Sequence, residues 1–392
     1  MRRSAFLPFS PPCLGDEEID EVVATLRSGW LTTGPRARRF EAEFAALVGA
    51  PAALALNSCS AGLLAGLAAC GVGPGDAVVT TPMTYVATIQ AIEQAGARPV
   101  FADVSADTLN LDPQSAAAAI GRALGAGLRV RALLPVHYAG HPCDMDTLGD
   151  LAAAHGLAIV EDAAHALPSA IGGRSTGAPV RPGVRSAASF SFYANKNLTT
   201  GEGGMLTGTA EVVDRARTFA QQGLGGAAGE PAWQREAVGP GFKLNMPDLA
   251  AAIGLRQMEK LTAFQARRRM IAARYDAALR NVAGVTRPAV RPSVEPSRHL
   301  YVVRLDLDRL RIDRDAVVRE MTARNVGTSV HFRPVHLHAW FRDRYGLRPD
   351  DCPQALAAWP RVLTLPLHPA MTVDDADDVV AALTDVVRAH RR

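Results

Sequence analysis

The residue with the most evident chemical use is Lys196, in the stretch SAASFSFYANKNLTTGEGGM at residues 186–205. Small or polar residues alternate with aromatic ones from Ala188 to Phe192, which predicts a buried strand, and Asn195 predicts a turn after it. The glycines of TTGEGG let the backbone approach another group closely. An amine partly desolvated at this strand end has a lowered pKa and is a competent Schiff-base nucleophile. A surface lysine in a glycine-rich turn is the alternative for an isolated lysine.

Other polar residues follow other predicted strands. A strand at Ala52–Leu56 leads into NSCSAG and a helix start, whose unpaired N–H groups are suited to a phosphate. Tyr85 and Asp162 also come just after or at predicted strand ends. Ligands gather at the carboxyl ends of parallel strands, so we expect these groups and Lys196 to share one edge of a sheet. The structural alternatives are an ordinary capped helix at NSCSAG, a core aromatic at Tyr85 and a helix N-cap at Asp162.

The fold class follows from the alternation of strands and helices in the first half of the chain. Continuous apolar strands between helices predict an α/β protein with a mainly parallel sheet covered on both faces. Two helices in succession are predicted after Pro247, the first to Leu261 and the second over Phe264–Leu279. The proline-rich segment Pro288–Pro296 is the candidate boundary between a large domain at residues 1–285 and a smaller α+β domain at residues 286–392. A strand is predicted at residues 327–332 in the smaller domain.

Composition excludes several classes of protein. The 392 residues are 48% hydrophobic, which is enough for a sizeable core, and the net charge of +3 is scattered and predicts no nucleic-acid partner. Five cysteines without a C-x-x-C pattern predict a reduced, cytoplasmic protein. Prolines interrupt the apolar N-terminus, so no signal peptide is predicted, and no apolar stretch has the roughly 18 residues of a membrane span.

Histidines offer a competing hypothesis from a different class. His331, His336 and His338 lie close together in sequence, and His137 and His141 stand at helical spacing. They raise the possibility of a metal-dependent hydrolase or a metal-binding module. No carboxylate stands in an H-E-x-x-H arrangement with them, and their segments are predicted as strand and loop, so no metal site is predicted.

Eight segments, taken in order, carry a family resemblance over nearly the whole chain. The segments are GWLTTGP, NSCSAG, TPMTYVATIQAI, PVHYAGHPCDMD, VEDAAHA, SFSFYANKNLTTGEGG, FKLNMPDLAAAIGLRQMEKL and TSVHFRPVH. Together they resemble the DegT/DnrJ/EryC1/StrS family of pyridoxal-phosphate sugar aminotransferases. The later segments are most similar to the branch that aminates C4 of nucleotide-linked 4-keto sugars, of the UDP-4-amino-4-deoxy-L-arabinose type. The resemblance implies fold type I of the pyridoxal-phosphate-dependent transferases, which is aspartate aminotransferase-like.

The resemblance also implies roles around the cofactor ring. Lys196 matches the Schiff-base lysine, which then serves as general base for a 1,3-proton shift. Related sugar dehydratases have histidine there, so the lysine favours transamination. Asp162 matches the carboxylate beneath the pyridine nitrogen, and His165 matches a position that contacts the ring or its 3-oxygen. Tyr85 matches the aromatic side chain that stacks on the ring.

Further positions follow from the same resemblance. Asn245 matches an asparagine that reaches the phosphate from the neighbouring subunit, which implies a homodimer with two shared sites. The positions implied for the phosphate within one chain are Ser60, Ala61 and Ser191. The positions implied on the substrate side are Thr32, Thr33, His331, Arg333 and His336.

The predicted activity is the transfer of an amino group from an amino acid, with L-glutamate as donor, to a keto sugar on a nucleotide carrier. A same-fold lyase or aromatising enzyme and an aminotransferase for a free keto-cyclitol are the alternatives. Two departures from the family bear on the substrate pocket. The segment QQGLGG lacks the His-Gly pair often found after the helix that follows the lysine, and the loop at residues 223–239 is long for the family.

Overall fold

The computed structural model describes residues 3–226 and 232–392, so part of the long loop at residues 223–239 lies outside the described residues. The helices are α1 Asp16–Ser28, α2 Pro35–Val48, α3 Cys59–Ala69, α4 Val86–Gln94, α5 Pro113–Gly125, α6 Met145–His155, α7 Ala210–Ala220, α8 Asp248–Ala278, α9 Arg314–Ala323, α10 Ala339–Tyr345, α11 Pro353–Ala358 and α12 Val373–Ala389. The strands are β1 Ala52–Leu56, β2 Asp76–Thr80, β3 Arg98–Phe101, β4 Arg129–Leu134, β5 Ala158–Asp162, β6 Ala170–Ile171, β7 Arg174–Ser175, β8 Ser186–Ser191, β9 Gly204–Gly208, β10 Val285–Thr286, β11 Val294–Glu295, β12 Tyr301–Leu305 and β13 Val362–Leu365.

A seven-stranded sheet in the order β1-β9-β8-β5-β4-β2-β3 forms the centre of the molecule. The pairs β8–β5, β5–β4, β4–β2 and β2–β3 are parallel, whereas β9 is antiparallel to both of its neighbours. Because β1 and β8 both run opposite to β9, they run in the same direction as each other. The carboxyl ends of β1, β2, β5 and β8 therefore lie at one edge, and the prediction of an α/β fold with a mainly parallel sheet is confirmed.

Helices cover the sheet because its strands are apolar on both sides. All five residues of β2 and of β5 are buried. Helix α3 packs against β8 so closely that a Cβ added at Gly62 would lie 2.2 Å from Ser189 Oγ. A glycine is therefore required where this helix crosses the strand. The close contact fixes the position of the α3 N-terminus relative to the strand that leads to Lys196.

A second core forms around the antiparallel sheet β10-β12-β13. Helices α9 and α12 contribute to it, and so do Leu7 from the N-terminal segment and Ile271 and Tyr275 from the end of α8. Strand β11, in contrast, pairs with β6 of the first half of the chain. The division at residues 285 and 286 stays a prediction.

Two predictions of local structure are wrong. The two helices expected after Pro247 form one helix, α8, of 31 residues. No proline or glycine stands at the expected break, where the sequence is Thr262-Ala263, so nothing interrupts the backbone hydrogen bonds. The strand expected at residues 327–332 is not formed, since within the described residues this segment makes one isolated bridge, between Ser329 and Thr364, and a second bridge precedes it, between Val326 and Leu7. No helix among the described residues is long and apolar enough to cross a membrane.

Candidate active site

A cavity of about 400 Å³ opens at the edge where the carboxyl ends of the strands converge. Ser58 and Cys59 reach it after β1, and Tyr193 and Asn195 reach it after β8. The C-terminal part of the chain closes one side. The sequence-predicted site residues that line the cavity are Ser60, Tyr85, Asp162, His165, Ser191, Lys196 and His331. Most of the expected site is thus brought together by the fold.

Lys196 stands in the turn that follows β8, where its backbone N–H donates to the carbonyl of Tyr193 over 2.9 Å. Burial lowers the pKa of its amine to about 8, although the charges of Cys59 and Asp162 act in the opposite direction. Among residues 3–226 and 232–392, no side chain forms a hydrogen bond or ion pair with Nζ. A substantial fraction of the amine is therefore neutral near pH 8, as a nucleophile requires.

The chain has three lysines, and their surroundings differ. Lys260 Nζ lies 2.9 Å from Glu17 Oε2 and 2.7 Å from Glu18 Oε2. Burial lowers its pKa, but these carboxylates outweigh burial and raise the pKa overall. Lys243 is exposed. Lys196 is thus distinguished by its place in the cavity and by its lowered pKa.

Asp162 ends β5 with its side chain buried and held in one orientation. Thr88 on α4 donates its hydroxyl to Oδ2 over 2.7 Å, and the N–H of Ala164 donates to Oδ1 over 3.1 Å. Thr84 lies 2.7 Å from Thr88, hydroxyl to hydroxyl. The two donors fix both carboxylate oxygens, so a negative charge is presented at the floor of the cavity.

Glu161 and His137 form a buried hydrogen-bonded pair next to Asp162, and His137 also lines the cavity. Glu161 Oε2 is 2.8 Å from His137 Nε2, and the backbone N–H of Cys143 donates to His137 Nδ1 over 3.1 Å. Because Nδ1 accepts this hydrogen bond, Nε2 carries the proton and donates to Glu161. The backbone N–H of His137 in turn donates to the carbonyl of Asp162 over 3.1 Å. These hydrogen bonds hold the end of β5 in place.

The start of α3 offers the groups that bind an anion. Ser58 is the N-cap, and its Oγ accepts the N–H of Ala61 over 3.1 Å. Ala61 itself is buried and does not line the cavity, whereas Ser60 and Ser191 do. The positive end of the helix and its first-turn amides favour a phosphate at this position.

A glycine allows the loop after Lys196 to pass the start of α3. A Cβ added at Gly204 would lie 2.5 Å from Cys59 N and 2.5 Å from Ser58 C. Both are backbone atoms and cannot move aside independently. Gly204 of TTGEGG thus serves close approach, as the sequence predicts, whereas Gly201 has a positive φ of 78° and an added Cβ there would meet no atom within 4 Å.

Three histidines form the wall on the C-terminal side. The ring of His165 is 4.7 Å from that of His299 and 6.5 Å from that of His331, centroid to centroid, and it stacks on Phe332 at 5.8 Å. Burial lowers the pKa of His331 to about 4, with a further contribution from Lys196. Burial also lowers the pKa values of His165 and His299 well below their ordinary range. The imidazoles are neutral at pH 7.

Several predicted site residues do not reach the cavity. Asn245 Nδ2 donates to Thr33 Oγ1, and Thr33 Oγ1 donates to the carbonyl of Met246 over 2.6 Å, so these residues lie together near the end of β1. Thr32 is exposed next to them. Arg333 is exposed and donates to the carbonyl of Leu337.

His336 lies fully buried, and its Nε2 is 3.0 Å from the carbonyl of Pro349. This side chain packs beneath the surface and does not line the cavity. The histidines that suggested a metal site are likewise dispersed. In the described part of the chain, no three histidine, cysteine, aspartate or glutamate side chains stand close enough to hold a metal ion.

The sequence analysis missed Thr88 and His299. Thr88 follows Thr84 by four residues within TPMTYVATIQAI, and this helical spacing places two hydroxyls on one face beside a strand end. That pattern could have identified it. His299 carries no local signal, because it reaches the cavity only through the packing of the C-terminal part of the chain against the central sheet.

The comparisons with known proteins agree with this geometry. The profile of the DegT/DnrJ/EryC1/StrS aminotransferase family matches residues 12–384. The spore coat polysaccharide biosynthesis protein SpsC of Bacillus subtilis (strain 168) is 43% identical, over 99% of this chain and 98% of SpsC. Spr1654 from Streptococcus pneumoniae, solved in its PLP-form, superposes with a TM-score of 0.88 at 32% identity, covering 98% of this chain and 99% of Spr1654. The sugar aminotransferase CalS13 from Micromonospora echinospora superposes with a TM-score of 0.85 at 27% identity, covering 96% of this chain and 99% of CalS13.

The fold and these similarities define the class of this enzyme as a pyridoxal-phosphate-dependent aminotransferase of fold type I. Within that class, the chain belongs to the DegT/DnrJ/EryC1/StrS aminotransferase family. The residues of the cavity fit the cofactor chemically. They provide a lysine amine without a partner among the described residues, an oriented carboxylate at Asp162, and a helix N-terminus with serine hydroxyls at Ser58 and Ser60.

Proposed function

We propose that this aminotransferase converts a nucleotide-linked keto sugar to an amino sugar, at C4, with L-glutamate as the amino donor. The single observation that carries the proposal is the placement of Lys196, with its lowered pKa, in one cavity with Asp162 and the start of α3. The similarity to CalS13 and SpsC supports a sugar as substrate. The later family segments, TSVHFRPVH among them, support the C4 branch by their resemblance to the enzymes that aminate C4 of nucleotide-linked 4-keto sugars.

The side chains of this chain divide the work of the reaction. Pyridoxal phosphate, when bound, supplies an electron sink for the bond that breaks at the substrate carbon. Ser58, Ser60 and Ser191 bind its phosphate at the start of α3. Asp162 holds a negative charge at a fixed place, because Thr88 and Ala164 orient it. Lys196 receives and returns a proton at Nζ, since its lowered pKa makes the neutral amine accessible. Tyr85 and Phe332, whose ring centroids are 6.0 Å apart, line the cavity, and Tyr85 would stack on the cofactor ring there.

The decisive experiment exploits the small number of lysines. The purified protein incubated with pyridoxal phosphate is treated with borohydride, digested and mapped by mass spectrometry. We expect the cofactor to be attached at Lys196 and not at Lys243 or Lys260, and Lys196→Ala to be inactive and without covalently attached cofactor. Attachment at another lysine, or a colourless wild type, would contradict the proposal.

The substrate is tested separately. A panel of nucleotide-linked 3-keto and 4-keto sugars is assayed with glutamate as donor, and the products are analysed. We expect amination of a 4-keto sugar. Elimination or aromatisation without transfer of nitrogen would indicate a lyase, and turnover of a free keto-cyclitol in place of nucleotide sugars would indicate the other alternative.

We further propose a homodimer in which Asn245 of each chain serves the site of the other. Asn245 lies outside the cavity of its own chain. Close to Thr33 in sequence, the large apolar side chains of Trp30 and Leu31 are exposed. Asn245→Ala is expected to weaken cofactor retention. Random remixing of Asn245→Ala chains with Lys196→Ala chains should restore about a quarter of the wild-type sites, because half of the dimers are mixed and each has one intact site. Absence of any restoration would contradict shared sites.

The expected compartment is the cytoplasm. Its support is the state of the five cysteines, which are all free, as is usual in a reducing compartment. Fractionation of the producing cell, followed by detection of the protein, tests this part of the proposal.

A further inference from the structure

His299 enters the cavity from the segment just before β12 and is held there by a polar network. The residue is 4% exposed and lines the cavity beside His165. Its Nδ1 lies 3.2 Å from Oδ1 of Asn197, the residue that follows Lys196. The position of this imidazole is thus tied to the loop that carries the reactive lysine.

The amide of Asn197 determines which nitrogen of His299 carries the proton. Its Nδ2 donates to two carbonyls, of Leu167 over 2.8 Å and of Ser297 over 2.9 Å. Both acceptors are carbonyl oxygens, so the NH₂ group must face them and Oδ1 must face His299. An amide oxygen accepts hydrogen bonds only, and therefore His299 Nδ1 donates. A neutral imidazole protonated at Nδ1 has a free lone pair at Nε2.

That lone pair has no partner within the described residues, although its ring lines the cavity. Burial, together with the charge of Lys196, lowers the pKa of His299 well below its ordinary value, which keeps Nε2 unprotonated at neutral pH. A bare nitrogen repels a carboxylate and attracts an O–H donor. The amino-acid donor carries carboxylates, whereas a keto sugar carries hydroxyls.

We propose that His299 determines specificity for the keto substrate by accepting a hydrogen bond from one of its hydroxyl groups at Nε2. This inference rests on the proposed function, since it assigns a contact to the keto sugar in the same cavity. Asn197 acts as a positioning residue, because it fixes the tautomer without contacting the substrate.

The test compares two substitutions that separate the two nitrogens. In His299→Gln the side chain is long enough to place an amide oxygen near the position of Nε2. In His299→Asn the amide can replace Nδ1 toward Asn197 but does not reach the cavity. Each variant is assayed in two separate half-reactions, the pyridoxal phosphate form with glutamate alone and the pyridoxamine phosphate form with the keto sugar alone.

We expect His299→Asn to lose about ten- to a hundredfold in kcat/KM for the keto sugar, the loss typical of an unpaired hydrogen-bonding group. The glutamate half-reaction should change by less than about threefold, and His299→Gln should recover most of the loss. Equal losses in both half-reactions, or equal behaviour of the two variants, would overturn the proposal. A wild type that accepts nitrogen from glutamate but turns over no keto sugar would instead contradict the proposed function.

Two further measurements do not depend on turnover. Nitrogen-15 NMR of histidine-labelled protein should show the His299 resonances, assigned by their loss in either His299→Gln or His299→Asn, as an imidazole protonated at Nδ1. Protonation at Nε2 would overturn the proposal even if a variant failed to fold. Keto-sugar analogues that each lack one hydroxyl are then compared. For one of them, kcat/KM should fall in the wild type but not in His299→Asn. If no analogue behaves in this way, His299 accepts no hydroxyl of the substrate.

Discussion

Phe9 stacks on His331, with 5.7 Å between the ring centroids and 27° between the planes. The next residue, Ser10, donates its hydroxyl to the carbonyl of Asn195 over 3.3 Å, beside Lys196. The N-terminal segment is anchored at its other end, where Arg3 lies 2.6 Å from Asp375 on α12. Residues 3–10 therefore connect the C-terminal core to the wall of the active site.

Removal of this ring should change the titration of His331. Phe9→Ala opens His331 to solvent, and because burial is the main cause of its lowered pKa, the pKa should rise from about 4 toward its ordinary value of 6.5. NMR titration of the histidines measures the change. Phe6→Ala, at an exposed position of the same segment, is the control and should leave the titration unaltered. An unchanged pKa in Phe9→Ala would show that Phe9 does not shield the imidazole.

Lys196 should react with the cofactor at lower pH than an ordinary amine. Only the neutral amine attacks an aldehyde, so the rate at which the apoenzyme takes up pyridoxal phosphate covalently should rise about tenfold per pH unit below about 8 and level off above it. A free lysine side chain in a peptide, with its pKa near 10.5, is the reference and should continue to gain rate across this range. Stopped-flow absorbance follows both. A rate that still rises steeply between pH 9 and 10 would contradict the lowered pKa.

The hydroxyl of Thr88 should matter for the cofactor as well as for stability. Thr88→Val keeps the shape of the side chain but leaves Asp162 Oδ2 without its donor, so we expect a loss of about 1–3 kcal/mol in the free energy of unfolding and weaker retention of pyridoxal phosphate. Thr88→Ser retains the hydroxyl and should restore cofactor binding. Urea denaturation and dialysis against buffer without cofactor measure the two effects. Equal retention in the valine and serine variants would contradict the role of the hydrogen bond.

Gly204→Ala should disrupt phosphate binding at the start of α3. The added methyl group collides with backbone atoms of Ser58 and Cys59, so the helix start must shift away from β9. We expect a lower Tm and a cofactor Kd raised by at least about tenfold, measured by fluorescence quenching. Gly121→Ala on α5, where an added Cβ meets no atom within 4 Å, is the control. It should retain cofactor affinity and gain up to about 1 kcal/mol in stability from helix propensity.

The central site was accessible from sequence because strand ends converge by the geometry of a parallel sheet. Asp162 ends a strand, Lys196, Tyr85 and Ser60 each come after one, and all four line one cavity. Arg333 and His336 were placed by a shared motif, and the motif does not determine which of its side chains turn toward the cavity. His336 turns inward to Pro349, whereas His331 faces the site.

Contacts between residues that lie far apart in sequence could not be predicted from local sequence patterns. His299 meets Asn197 across 102 residues, and Phe9 meets His331 across a still longer separation. No periodicity or turn signal encodes such pairs. The single helix α8, in contrast, was open to prediction, since its sequence contains no residue that ends a helix near Thr262.

Helix α8 also couples the unfolding of the two apolar cores. At 1.5 Å per residue its 31 residues span about 46 Å, with Leu255 in one apolar core and Tyr275 in the other. If either core unfolded, half of helix α8 would lose its packing partners and the other half would be destabilised. Calorimetry should accordingly record one cooperative transition for the whole chain, without a separate early peak for the C-terminal third.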